Sequence, residues 1–163
     1  MQEQKESAGA KKASISDYFK VIGVKRCFEL DLDQLEKKYC QLQTVFHPDA
    51  IDKNNLSNVE MDVYLKKIST INKAYHCLKD PISRANHLIE LKGFDAKGGV
   101  SINYLEQIID LKEKILEDKV GNEVEVLYNK HFENMKNAFK RDNYEDAHLS
   151  FLLLKYILKL KIG

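Results

Sequence analysis

The chain has 163 residues, of which 44% are hydrophobic and 31% charged, so it carries enough apolar material for a folded core. Its 26 basic and 25 acidic residues nearly cancel, which argues against nucleic acid or an anionic membrane as a partner recruited by overall charge. Only 7 glycines and 2 prolines occur, and so few helix breakers predict a mostly helical protein.

The first 16 residues are polar and rich in small side chains, which indicates a disordered tail, a linker or a remnant of cloning. They lack the apolar core of a signal peptide. No apolar run approaches the roughly 18 residues that a membrane span needs. The three cysteines, Cys27, Cys40 and Cys77, form no C-x-x-C pair, which indicates reduced thiols rather than a zinc knuckle or a disulfide framework.

The first predicted element is a short helix from Asp17 to Ile22, which Gly23 ends. The stretch that follows has no helical period, and we expect it to be a loop whose Phe28 and Leu30 point inward.

Two long helices are expected next, and each begins with a capping box. Asp33 with Glu36 starts the first, which runs to about Phe46, and Ser57 with Glu60 starts the second, which runs to about residue 79. The predicted inward stripes are Leu35, Tyr39, Leu42 and Phe46 on the first helix, and Met61, Leu65, Ile68, Ile71, Tyr75 and Leu78 on the second.

A fourth helix is predicted from Asp80-Pro81, with the aspartate as N-cap, and it stops at Gly93. Residues 93–100 contain two adjacent glycines, which indicates a linker between domains spanning residues 17–92 and 101–163.

The second domain is predicted to be a three-helix bundle, because three long helical patterns are separated by short breaks. The first pattern covers residues 102–118 with a cap at Asn103 and Glu106, and the second covers residues 122–141. The third begins at Asp142 with Glu145 and runs to about residue 160. The fold class is therefore all-α.

Sequence patterns of catalysis are missing. There is no phosphate-cradling glycine loop and no G-x-S-x-G. Glu145 and His148 have the E-x-x-H spacing of di-iron bundles, but such a site needs a second copy of that motif and two further glutamates. We expect no enzyme activity, no cofactor and no metal, and a helical metal enzyme stays a minor alternative.

The tripeptide His47-Pro48-Asp49 lies between the two long helices, directly after a helix that carries Lys37 and Lys38 off its apolar stripe. Taken alone, it is a helix stop followed by a turn. In this context, with Asp17-Tyr18-Phe19 upstream, it resembles the J domain, the module that activates the ATPase of DnaK-type chaperones. The resemblance implies that the two long helices form an antiparallel hairpin, with short helices beside it.

Further segments resemble one J-protein family, HscB, whose members serve iron–sulfur cluster assembly. The resemblance covers roughly residues 17–160. It rests on Thr70-Ile71-Asn72-Lys73-Ala74-Tyr75, Leu78-Lys79-Asp80-Pro81, Arg84-Ala85-Asn86-His87-Leu88, the LKGFD run of residues 91–95, and residues 104–113.

The resemblance implies two partners. The first is a DnaK-type, HscA-like chaperone, which the J domain contacts through His47, Pro48, Asp49, Lys37, Lys38 and Gln41. The family often has a base directly after the motif and another in the helical turn before it, whereas this chain has Ala50, Thr44 and Val45 there.

The second implied partner is an IscU-like iron–sulfur scaffold protein, held by the carboxy-terminal domain. Four acids on the first bundle helix are spaced 4, 3 and 4 residues apart and form one helical face, which by itself is an ordinary solvated surface. The implied contact residues are Leu105, Glu106, Ile109, Asp110, Glu113, Glu117 and Tyr156.

Two readings stay open beside this one: a general J-domain co-chaperone with a different client, and a small helical nucleic-acid-binding protein, which the near-zero net charge disfavours. The resemblance implies a bacterial cytoplasmic location, or alternatively the mitochondrial matrix.

Overall fold

A computed structural model describes residues 15–46, 57–94, 102–117 and 123–162. Those residues form α-helices with turns and loops and no strands, which confirms the predicted all-α class. The elements are α1 (Tyr18–Ile22), α2 (Leu32–Val45), α3 (Asn58–Lys79), α4 (Pro81–Leu91), α5 (Ile102–Glu117), α6 (Glu123–Lys140) and α7 (Tyr144–Ile162).

Helices α2 and α3 form the expected hairpin, and α1 packs across α3. Leu35 is buried on α2, and the Tyr39 ring stacks on the Tyr75 ring of α3 with centroids 3.9 Å apart. The Tyr39 hydroxyl donates to Oδ1 of Asn72 over 3.2 Å. The predicted stripe of α2 therefore does face its partner helix.

The predicted position of Leu65 is wrong, since this side chain is 54% exposed. The buried side of α3 runs through Ile71, Ala74 and Leu78. At roughly 100° per residue, Leu65 lies about a third of a turn away from that side. A 4–3 spacing of apolar residues is therefore not sufficient to place every member in the core.

The starts of α3 and α4, each with a single capping signal, were predicted correctly. The Ser57 capping box is present, and the Asp80 carboxylate accepts the Ser83 N–H over 2.7 Å. The prediction for α2 is wrong, because Asp31 caps that helix by accepting the Gln34 N–H over 3.0 Å. Asn103 likewise lies inside α5 and does not precede it.

The N-cap of α7 is Asn143, one residue after the predicted Asp142. Asp142 has a φ of 53°, a left-handed conformation that closes α6. The Asn143 N–H then donates back to the Ala138 carbonyl over 3.0 Å. The Asn143 side chain caps α7 by accepting the Asp146 N–H over 3.1 Å.

Helix α7 lies between the two halves of the protein and is apolar on several sides, as expected of a buried helix. Phe151 and Leu154 join the cluster formed by α1–α4, whereas Leu153 and Ile157 join a second cluster with α5 and α6. The two predicted domains therefore share a continuous apolar contact.

Phe28, in the loop before α2, lies in this contact. It is buried, as the prediction that it points inward stated. Its ring stacks on Phe139 of α6 at 4.9 Å and meets Phe132 edge-on at 6.0 Å. The neighbouring Glu29 carboxylate lies 3.6 Å from the Lys136 ammonium and 3.4 Å from that of Lys140. These contacts join the loop before α2 to α6.

The predicted linker is partly outside the described residues, which stop at Phe94 and resume at Ile102. Gly93 adopts a φ of 90°, which suits glycine at a helix end. Phe94 packs against the His148 ring, with centroids 5.5 Å apart, so the start of this segment is fixed to α7. Of the predicted tail, only Ile15 and Ser16 are described.

His87 is a buried histidine that ties α4 to the start of α1. Its Nε2 accepts the Tyr18 N–H over 3.0 Å, and its ring stacks on the Tyr18 ring at 4.4 Å. Burial lowers the pKa of His87 below its ordinary value, although Asp17 and Glu90 act in the opposite direction. A protonated Nε2 has no lone pair left for this bond.

We predict that the free energy of unfolding decreases as the pH falls below about 6.5, the ordinary histidine pKa. The unfolded chain binds protons there more readily than the folded one, because the pKa of both His87 and His131 is lowered in the fold, chiefly by burial. Urea unfolding at pH 7.5 and 5.5 measures this slope. His87→Gln should reduce the slope, and His76→Gln, at an exposed position, should leave it unchanged.

Candidate partner-binding surfaces

The first candidate surface is the outer face of α2. Lys37, Lys38 and Gln41 are all exposed there, on the side away from Leu35 and Tyr39, as their spacing predicts. The three residues of the His-Pro-Asp motif, His47, Pro48 and Asp49, lie outside the described residues. The described part of this surface therefore consists of α2 and the residue that ends it.

That residue is Phe46, which immediately precedes the motif. Its N–H donates to the Leu42 carbonyl over 2.9 Å, and its carbonyl accepts the Tyr64 hydroxyl of α3 over 2.8 Å. The Lys67 ammonium lies 4.4 Å from the centre of the Phe46 ring. Sequence analysis identified neither Tyr64 nor Lys67. The spacing of Tyr64, three residues after Met61 and four before Ile68, was a signal that could have found it.

The second candidate surface is the outer face of α5. The members of the predicted set with described side chains on this helix, namely Leu105, Glu106, Ile109, Asp110 and Glu113, are all exposed. The opposite face of α5 packs toward α6 and α7. It carries the buried Leu111 and the half-buried Tyr104 and Ile108.

Charge and hydrophobicity are separated around α5. Leu105 is 50% exposed and Ile109 57%, and Ile102, which sequence analysis omitted, is 76% exposed. Counted at roughly 100° per residue, these three side chains form one stripe, and Glu106, Asp110 and Glu113 form the next stripe around the helix. The result is an apolar strip with an acidic border on one side.

Tyr156 of α7 lies beside this helix. It is half-buried, and α7 continues beyond it to Ile162. Burial, with an added contribution from the Tyr156 hydroxyl, raises the pKa of Tyr104 on α5. The Glu117 side chain lies outside the described part of the chain.

The alternative of a metal enzyme depends on a cluster of metal-ligating side chains. Within residues 15–46, 57–94, 102–117 and 123–162, no three His, Cys, Asp or Glu side chains converge on one point. Glu145 is exposed, and His148 packs against Phe94. Burial, followed by the charges of Glu90 and Asp80, raises the pKa of the Cys77 thiol to about 11, which makes it a poor nucleophile.

In the described parts of the chain, no helix is both long enough and apolar enough to cross a bilayer.

Comparison with known proteins agrees with this arrangement. Residues 17–87 match the sequence profile of the DnaJ domain. The chain is 30% identical over 161 residues to the co-chaperone protein HscB homolog of Neisseria meningitidis, a match that covers 90% of this chain and 96% of that protein. It is 28% identical over 156 residues to the human iron–sulfur cluster co-chaperone protein HscB, covering 89% of this chain and 66% of the human one.

A solved structure shows the same fold. The crystal structure of human co-chaperone protein HscB superposes with a TM-score of 0.69 at 25% identity, over 95% of this chain and 82% of that one. Co-chaperones act through a partner and are not enzymes themselves. The J-domain profile and the near full-length match to the Neisseria protein together show that this chain belongs to the HscB family of J-domain co-chaperones.

Proposed function

We propose that this protein is an adaptor that brings an IscU-like iron–sulfur scaffold protein to a DnaK-type, HscA-like chaperone and stimulates ATP hydrolysis by that chaperone. The observation that carries the proposal is the presence of two separate exposed surfaces, on α2 and α5, on halves that share an apolar contact. In this proposal residues 17–92 are the J domain and residues 101–163 the scaffold-binding domain.

On the chaperone side, the exposed Lys37 and Lys38 supply positive charge that steers an acidic surface toward α2. His47 and Asp49 supply hydrogen-bonding and charged groups next to that face, and Pro48 reduces the conformational entropy lost on binding. The hydrolytic chemistry belongs to the chaperone, and docking shifts its conformational equilibrium toward the hydrolysing state.

On the scaffold side, the strip formed by Leu105 and Ile109 provides apolar contact area, and Asp110 and Glu113 border it. A central apolar area with a charged rim is the usual anatomy of a protein interface. The acidic rim fits a partner surface that is basic at its edge. The name of the human relative, an iron–sulfur cluster co-chaperone, supports a scaffold of iron–sulfur assembly as that partner.

Holding both partners on one molecule raises the effective concentration of the scaffold at the chaperone. The family membership supports a bacterial cytoplasmic location for this activity, with the mitochondrial matrix as the alternative compatible with the human relative.

The scaffold half of the proposal predicts that Asp110→Ala with Glu113→Ala weakens scaffold binding by roughly three- to tenfold, mainly through slower association. Both carboxylates are exposed, so the effect should shrink at high salt. Titration of the scaffold at two salt concentrations measures it.

The control, Glu125→Ala with Glu133→Ala, removes the same charge from the exposed face of α6 and should leave the affinity unchanged. Equal scaffold affinity for the α5 variant and the unaltered protein would refute the placement of this surface. Binding of unfolded clients but no scaffold would instead favour a general J-domain co-chaperone.

A further inference from the structure

The exit of the chain from α2 is held by groups on α3. Phe46 is the C-cap of α2, with φ of −103° and ψ of 27°. The last carbonyls of a helix have no partner inside it, so they need a hydrogen-bond donor from elsewhere. The Phe46 carbonyl receives one from the Tyr64 hydroxyl, 2.8 Å away and 18 residues later in the chain.

The Phe46 side chain is fixed as well. Its ring packs against the cluster that contains Leu35 and Ile71, and the Lys67 ammonium lies 4.4 Å above the ring. Tyr64 and Lys67 are three residues apart on α3 and therefore lie on neighbouring turns of one helix face. Backbone and ring of Phe46 are thus held from the same side.

The restraint on Phe46 extends to the next residue through covalent geometry. The Phe46 carbonyl belongs to the peptide unit whose nitrogen is that of His47, and this unit is planar. Fixing the carbonyl oxygen therefore restrains ψ of Phe46, the last described backbone angle before the His-Pro-Asp motif. A motif that starts from one defined direction has fewer conformers to lose when it binds a partner.

We propose that Tyr64, assisted by Lys67, is a positioning residue for the His-Pro-Asp motif, acting through its hydrogen bond to the Phe46 carbonyl. This inference rests on the proposed function, because the motif must dock on the chaperone for its starting direction to matter. Tyr64 touches no chaperone group in this scheme. It raises the fraction of molecules whose motif is ready to bind.

The test compares two tyrosine hydroxyls in the full-length protein. Tyr64→Phe removes the bond to Phe46. Tyr39→Phe, the matched control, removes a bond between the same two helices, that of the Tyr39 hydroxyl to Asn72, whose Oδ1 still accepts from Gln43 over 2.7 Å. Stimulation of the DnaK-type chaperone is measured over a range of co-chaperone concentrations for each variant, and for His47→Gln.

One neutral hydrogen bond corresponds to roughly a three- to tenfold change in an equilibrium constant. We expect Tyr64→Phe to raise the half-maximal concentration by about that factor, with an unchanged maximal rate, and Tyr39→Phe to change it by less than about twofold.

Equal half-maximal concentrations for both tyrosine variants, while His47→Gln abolishes stimulation, would overturn the role of Tyr64 and leave the proposed function intact. A lower maximal rate in Tyr64→Phe would overturn it too, because a conformer population affects apparent affinity and not turnover. Undiminished stimulation by His47→Gln would instead contradict the proposed function itself.

Discussion

His47→Gln is expected to reduce stimulation of the chaperone ATPase to the basal rate while leaving the fold and scaffold binding intact. The imidazole is the one titratable, two-nitrogen group of the motif, and glutamine keeps its length but not its ring. Loss of about 2 kcal/mol of contact free energy would lower chaperone affinity roughly 30-fold. Steady-state ATP hydrolysis at fixed co-chaperone concentration measures the effect.

The control for this variant is His76→Gln, which removes an exposed imidazole from α3 in the same half of the protein. Its stimulation should match that of the unaltered protein. Circular dichroism and scaffold titration of both variants report whether the fold and the α5 surface are preserved. Full stimulation by His47→Gln would be incompatible with a chaperone contact through this motif.

Leu105→Ala with Ile109→Ala is expected to have the largest effect on scaffold binding. Both side chains are about half exposed, so we expect their truncation to leave the core packing intact and to report on binding alone. Truncation of a central apolar contact costs about 1 to 2 kcal/mol per side chain, so the pair should raise the Kd roughly 30-fold or more. Stimulation of the chaperone in the absence of scaffold should be unchanged.

The matched control is Val59→Ala with Val63→Ala, another exposed apolar pair four residues apart on one helix, α3. This double variant should bind the scaffold normally. If both double variants lost affinity equally, the loss would reflect general hydrophobicity and not a surface on α5. If neither did, the apolar strip would have no part in scaffold binding.

Much of the fold was predictable because local signals in this sequence agree with one another. Ser57 with Glu60 and Asp80 with Pro81 are unambiguous helix starts, and the structure uses both. Asp31 with Gln34 offers α2 an alternative to Asp33 with Glu36, and pattern alone does not rank two overlapping signals. At α7, the left-handed Asp142 closes α6 and leaves the cap to Asn143.

Contacts between distant segments were not predictable in the same way. The loop pattern indicated that Phe28 points inward, but nothing in the sequence pairs it with Phe132 and Phe139, more than 100 residues later. The same holds for the Tyr64 hydroxyl and the Phe46 carbonyl. Such pairings depend on how helices pack, which periodicity does not specify.

The exposed face of α5 was predictable from helical spacing, because the polar and apolar residues of this helix lie on separate faces. Ile102 extends the strip and is signalled by its own spacing, three residues before Leu105 and seven before Ile109. The identity of a partner, by contrast, is no property of periodicity. It came from the resemblance carried by the His-Pro-Asp motif and the segments around it.

The most direct test of the central proposal is single-turnover ATP hydrolysis by the cognate DnaK-type chaperone, with this protein and with or without the iron–sulfur scaffold. The adaptor role predicts stimulation that depends on His47 and increases synergistically when scaffold is added. Stimulation with no synergy would contradict the scaffold half of the proposal. Absence of any stimulation would contradict the co-chaperone mechanism proposed for this chain.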